Sequence, residues 1–374
     1  MVYFDNAATT KPGAGALEIF TRCAAVSFGN PSSPHFIGKE ARALVDQARR
    51  EVASAVGAPE DEIVFTSGGT EAANLAIQGV CAADRTRKKI VISAVEHPAV
   101  YKTCSRLAKN GYSVIKIPVS LGGDIDEEML AASIDGGTAL VSFMSVNNET
   151  GTVLPIERIV RIVKTKDSSI PVHTDAVQAL GKIHIDVKSS GVDLLSVSGH
   201  KVHGFKGVGA LYVKNDTNIY PTQFGGGQEK GLRSGTEAVG LIASFGRAAA
   251  EAVADLGRNY EHISGLKARF LSGLGELPEV TVNSKGGVPH IVNFSVPGRD
   301  AGGVLEALSG EGYCVSRGAA CKSNHRRGPS MLMSFGLPAD IADAALRVSF
   351  SRDNTLDEVD GFFGALMAIF KGYS

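Results

Sequence analysis

Charge of one sign is missing as a bulk property. Over 374 residues, 38 Lys and Arg stand against 39 Asp and Glu, so no global field draws the chain to nucleic acid or to an anionic membrane. The one short basic run, Arg85 to Lys89, reads as a solvated face beside a strand. Long apolar stretches are missing too: nothing approaches the roughly 18 residues needed to span a bilayer. The opening MVYFDNAATTKPG lacks the charged and then apolar pattern of a secretion signal. Cysteine is sparse and irregularly spaced, at Cys23, Cys81, Cys104, Cys314 and Cys321, which excludes a disulfide framework and favours reduced thiols. Internal repeats and low-complexity linkers are absent. These absences together predict a cytoplasmic protein without nucleic-acid or membrane partners.

What is present is a core-forming composition, 44% hydrophobic and 21% charged, on a chain too long for one ordinary core. From about residue 14 to 215, strand-like runs such as EIVFTSG, KKIVISAVEH, TALVSFMSVNN and DLLSVSG alternate with amphipathic helical patterns. This βαβ series predicts an α/β fold with a mostly parallel central sheet flanked by helices. Its functional groups belong past the carboxyl ends of the strands. After the glycine cluster GGGQEKGLRSGT comes a long helical stretch over 237–277, and then a mixed pattern ending in a helix whose TLDE fits a capping box. The expected division is a large domain over 14–258 and a smaller α+β domain formed by 1–13 and 259–374.

Several strand ends carry residues suited to one chemistry. An apolar strand ends in Ser198, Gly199, His200 and Lys201, and a desolvated lysine there can form a Schiff base with an aldehyde cofactor; the alternative is a surface lysine. VHTDAVQ places Asp175 after another strand, where it can pair with a protonated pyridine nitrogen or simply cap a turn. Ser67, Gly68, Gly69 and Thr70 lead from a strand into a helix, which offers backbone amides to a phosphate or an ordinary cap at Thr70. His97 in EHPAV can stack on a flat ring and pass protons. Asn148 in NNETG can reach a ring hydroxyl or sit in a turn.

YFDNAATT, FGNPSSPHFIG, FTSGGTEAANLAI, EHPAV, NNETG, HTDAVQ, SGHK, GGGQEKGLRSGT and SRGAAC occur in the order seen in cysteine desulfurases, and the chain resembles that family over nearly its whole length. The family belongs to the fold type I pyridoxal phosphate enzymes, in the class V aminotransferase branch, and removes sulfur from L-cysteine as an enzyme persulfide. By position, the resemblance implies Lys201 as the Schiff-base lysine, Asp175 at the pyridine nitrogen, Gln178 and Asn148 near the ring oxygen, and His97 over the ring. It implies a phosphate site formed by Thr70, Ser198 and His200, with Gly69 and Gly199 also against the cofactor. Thr236 would reach that phosphate from the other subunit of a homodimer. Arg347, with Asn148, would take the substrate carboxylate. Iron-sulfur cluster assembly or another sulfur-acceptor protein would receive the sulfur.

Cys321 sits among Gly and Ala, followed by Lys322, His325, Arg326 and Arg327. Read from residues alone it is a buried filler, a metal ligand or a nucleophile. Cys314, Cys321 and His325 lack the compact pairs of a zinc site, so no metal is expected. The resemblance makes Cys321 the persulfide-forming nucleophile on a mobile loop. Two departures stand out: Arg326 and Arg327 occupy a loop where relatives carry an acidic residue, and Phe205 replaces a proline in the return from Lys201. The rival functions are a selenocysteine lyase, a class V aminotransferase without sulfur chemistry, and a catalytically weak docking platform.

Overall fold

A computed structural model describes residues 1–317 and 331–372. Cys321 and its basic neighbours Lys322, His325, Arg326 and Arg327 lie outside the described residues.

The strands are β1 (Val2–Tyr3), β2 (Ile63–Thr66), β3 (Lys89–Ser93), β4 (Ser113–Ile117), β5 (Thr138–Ser142), β6 (Val172–Asp175) and β7 (Leu194–Ser198). They continue with β8 (Gly209–Val213), β9 (Thr281–Val282), β10 (Ile291–Ser295), β11 (Tyr313–Cys314) and β12 (Ala345–Ser349). Seven of them form one sheet in the order β2-β8-β7-β6-β5-β3-β4. Only β8 runs against its neighbours; the remaining pairings are parallel. The expected mostly parallel α/β sheet is therefore observed, and it has the physical form such sheets require. β2, β5, β6, β7 and β8 are buried along their whole length, because helices cover both faces.

On one face, the helices Phe36–Val56, Ile156–Lys166 and Val239–Ala254 pack into a core with Phe65, Val141, Val172 and Val197. On the other, Gly69–Ala83 and Pro98–Ala108 close over Ile90, Ile92, Leu140 and Leu211. The expected helical stretch over 237–277 is two helices, Val239–Ala254 and Leu256–Gly275, separated at Asp255, whose φ of −97° and ψ of 8° leave the α region. A second core forms around the antiparallel sheet β12-β10-β9. Phe270, Phe294, Phe350 and Phe362 meet there, with ring centroids 5.2 to 5.9 Å apart in the contacting pairs. The last helix, Leu356–Gly372, begins with the expected capping box. Thr355 Oγ1 accepts from the Glu358 amide at 3.3 Å, and a Glu358 carboxylate oxygen accepts from the Thr355 amide at 3.1 Å.

The N-terminal segment joins the two cores. β1 pairs with β11, the Phe4 ring lies in the second core, and the Ala7 amide donates to Ser349 Oγ at 2.8 Å. Three residues after Phe4, the chain has reached the carboxyl edge of the large sheet.

Close helix packing makes one glycine irreplaceable. A Cβ at Gly246 would lie 2.5 Å from the Ala48 Cα, backbone that cannot swing aside, whereas at Gly265 it would meet nothing within 4 Å. We expect Gly246→Ala to destabilise by about 1–3 kcal/mol, overpacking exceeding the gain in helix propensity. Gly265→Ala should stabilise by about 0.5–1 kcal/mol. Denaturant midpoints of the two variants measured together check both signs.

Candidate active site

Five strand ends converge on one cavity of about 490 Å³, lined by Gly69, Thr70, His97, Asn148, Asp175, Gln178, Ser198, His200, Lys201 and Arg347 among others. Each residue arrives by a short connection that follows from the parallel sheet. Past β2, the turn Ser67–Gly68 opens the helix Gly69–Ala83. Its first-turn acid, Glu71, accepts from the Ser67 amide at 2.7 Å and pairs with Arg233 at 2.9 Å. A Cβ at Gly69 would stand 2.6 Å from Val177 Cγ2, so glycine there lets the two loops close on each other while leaving backbone amides toward the cavity.

Past β3, His97 caps the helix Pro98–Ala108, its Nδ1 accepting from the Ala99 amide at 3.1 Å. Nδ1 is thereby unprotonated, and the ring proton sits on Nε2. Burial lowers the His97 pKa, the Asp175 charge opposes that shift, and Lys201 adds to it. Past β5, Asn147 Oδ1 accepts from the Glu149 amide at 2.9 Å and the Thr150 amide at 3.0 Å. That fixes the turn presenting Asn148. Past β6, the Val177 amide donates to Asp175 Oδ1 at 3.0 Å, and burial raises the Asp175 pKa against the pull of His97, this hydrogen bond and Lys201.

Past β7, the chain enters a single 3₁₀ turn, Gly199–Lys201. Lys201 Nζ donates to the Ala8 carbonyl at 2.7 Å and also to the Ala7 carbonyl; Gln178 Nε2 donates to the same Ala7 oxygen at 2.8 Å. His200 Nδ1 meets Thr9 Oγ1 at 3.2 Å. Burial, Lys201 and Lys206 push the His200 pKa down to about 4, so its ring is neutral. Arg347 comes from β12 in the second core. It donates from Nη1 to the Asn148 carbonyl at 2.8 Å and from Nη2 to Asp5 Oδ1 at 2.8 Å.

Two of the residues singled out from sequence do not line the cavity. Gly199 is buried beneath the cavity, and a Cβ there would stand 3.0 Å from Val208 Cγ1. Thr236 is exposed and does not line the cavity of its own chain. Cys321 is outside the described residues. Conversely, Lys206, Met144, Val177 and the Ala7–Ala8 backbone line the cavity without having been foreseen. Val177, two residues after Asp175, carried a usable signal. The N-terminal alanines carried none, because only long-range packing brings them there. Among the described residues no group of His, Cys, Asp and Glu is placed to hold a metal ion, and no helix is long and apolar enough to cross a membrane.

The cavity suits a flat cofactor bearing a phosphate and a carbonyl. Among the described residues Asn148 Oδ1 and Arg347 Nε are buried without partners, unmet demand that a polar ligand satisfies. An acid, an imidazole and a lysine amine face one space whose far wall is a helix N-terminus.

The profile of the aminotransferase class-V family matches residues 2–362. A NifS/IcsS protein homolog of Lactobacillus delbrueckii subsp. bulgaricus is 40% identical over all of this chain and 98% of its own. A cysteine desulfurase IscS of Dictyoglomus turgidum is 38% identical over 96% of this chain and 92% of its own. Among solved structures, a NifS-like protein superposes with a TM-score of 0.93 at 36% identity, covering 99% of both chains. Order of motifs, sheet topology and these likenesses agree, and the chain belongs to the aminotransferase class-V family of pyridoxal phosphate enzymes, in its cysteine desulfurase branch.

Proposed function

We propose that the protein takes sulfur from L-cysteine, releasing L-alanine and carrying the sulfur as a persulfide on Cys321. The observation that carries this reading is the convergence of Lys201, Asp175 and His97 on one cavity, in a chain whose relatives are cysteine desulfurases. Lys201 would hold pyridoxal phosphate covalently, Asp175 its ring nitrogen, and the Gly69–Thr70 amides with Ser198 and His200 its phosphate. Gln178 and Asn148, which line the same cavity, would serve its ring oxygen. Bound there, the cofactor supplies an electron sink that weakens the substrate's Cβ–S bond.

The chain's own groups do the rest. Arg347 is anchored on two sides and presents its buried guanidinium to a carboxylate. The Lys201 amine, once free, removes the substrate α-proton. His97 exchanges protons with the substrate thiol at Nε2, the nitrogen not committed to Ala99. The Cys321 thiolate attacks the substrate sulfur: an S–S bond forms, the Cβ–S bond breaks, and the electron pair left on carbon takes a proton to give alanine. Residues 14–258 form the cofactor-binding part in this reading, and residues 1–13 with 259–374 the part that carries Cys321. Thr236, exposed at the surface of its own chain, completes the phosphate site of a second subunit in a homodimer. The persulfide passes to an acceptor protein in the cytoplasm, an iron-sulfur scaffold among the suitable ones.

Lys201→Ala should abolish the visible absorbance of the lysine-linked cofactor in purified protein; retention of that band removes Lys201 from its role. Cys321→Ser should keep the absorbance yet lower sulfide release from L-cysteine in the presence of a thiol reductant by about 100-fold or more. Undiminished release overturns the nucleophile assignment. The same assay run with L-selenocysteine, scoring alanine, separates a desulfurase from a selenocysteine lyase.

A further inference from the structure

The site contains a second buried carboxyl group to which the proposed chemistry gives no task. Glu96 precedes His97, and its side chain is only 5% exposed. Its Oε1 accepts from Ser93 Oγ at 2.5 Å and from the Met144 amide at 2.8 Å. Its Oε2 is buried and has no partner among the described residues. The carboxyl thus ties the end of β3 to the residue following Phe143 beyond β5, and both tied segments line the cavity, through His97 and Met144.

The geometry fixes which form of the acid is compatible with the fold. An ionised carboxylate needs donors on both oxygens, and here one oxygen holds two while the other holds none. Among the described residues no cation is paired with it. The ionisable groups that bear on it are Asp175 on β6, Cys104 on the helix Pro98–Ala108, and His97 beside it in sequence. Asp175 disfavours a second negative charge, Cys104 is a neutral thiol, and the neutral His97 offers its Nδ1 to Ala99. Leaving a proton on Oε2 is therefore the smaller cost. Burial moves its pKa in the same direction, up to about 8, with Asp175 adding to the shift and Ser93 and Met144 opposing it.

We propose that Glu96 is a positioning residue that works as a neutral acid, joining the His97 and Met144 strand ends while leaving Asp175 the only anion beneath the cofactor ring. This rests on the reading of the cavity as a pyridoxal phosphate site. Were Glu96 ionised, a second negative charge would hold protons more tightly on His97 and on the lysine-linked group at Lys201, displacing both from the values the chemistry uses. Glutamine reproduces the neutral acid at the Oε1 position, because its carbonyl can take the same two donors. It cannot ionise at any pH.

The test uses holoprotein in two measurements. In a pH titration of the cofactor's visible absorbance, a neutral Glu96 and glutamine place the same charge beside the lysine-linked group, so Glu96→Gln should keep the wild-type midpoint, whereas an ionised Glu96 would hold the wild-type midpoint higher by about half a unit or more. Ser93→Ala removes one donor from Oε1 and should likewise leave the midpoint in place. In the infrared spectrum at neutral pH, wild type should show a protonated-carboxyl band that Glu96→Gln lacks. A Glu96→Gln midpoint lower than wild type by about half a unit or more, or a wild-type spectrum without the band, overturns the proposal. If the protein binds no pyridoxal phosphate, the cofactor reading fails on its own; the infrared comparison still decides the state of Glu96.

Discussion

One carbonyl oxygen holds the site together. Ala7 O receives both Lys201 Nζ and Gln178 Nε2, so a residue of the N-terminal segment joins the turn after β7 to the turn after β6. The segment is itself held at the other end by the second core. Phe4 is buried among its aromatic rings, and the Ala7 amide is bonded to Ser349. Arg347 completes the loop by reaching from β12 to Asp5 and to the Asn148 carbonyl. Lys201, Asn148 and Arg347 consequently occupy fixed relative positions although they come from different sheets. A displacement of the second core would be felt at the lysine before it reached the helix Gly69–Ala83, which packs on the large sheet.

Much of this was legible in the sequence, and for a physical reason. A parallel sheet delivers the residue after each strand to the same edge, so finding Asp175, His97, Asn148 and Lys201 just past apolar runs amounts to finding them near one another. Gly69 and Ser198 were legible on the same ground. The capping box at Thr355 was legible because its chemistry is local. What stayed hidden depended on distance in the chain. Nothing in FDNAATT announces that Ala7 and Ala8 would supply acceptors to Lys201 nearly two hundred residues later. Nor does GLRSGT announce that Arg233 is engaged by Glu71 in the first turn of the helix Gly69–Ala83. The break at Asp255 is not legible because the Ala-rich segment before it and the segment Leu256–Gly275 after it read as one helical pattern, and a single residue leaving the α region does not disturb it.

Phe205 shows how a departure from the family pattern is accommodated. A proline would restrain the return from Lys201 by fixing φ; phenylalanine cannot. Its ring instead stacks on Phe20 of the helix Ala14–Ala25, with centroids 4.5 Å apart and planes 26° from parallel. The restraint has moved from the backbone to a side-chain contact between two elements. The adjacent Lys206 and Gly207 line the cavity, so the stack holds the wall nearest His200 in place.

The electrostatics of the site follow one rule, that burial removes charge wherever no partner offsets it. His200 and His97 are driven toward neutrality by desolvation and by the lysine beside them. Asp175 is pushed the same way by burial, yet it faces both an imidazole and an amine that favour its ionised form. A cationic ring nitrogen placed against Asp175 would add the strongest such term, and each would then stabilise the charged state of the other. Holding the cofactor in its electron-withdrawing form and ionising Asp175 are on this view one event. It requires that no second anion compete for the same proton, which is a demand on every carboxyl group packed behind β6 and β3.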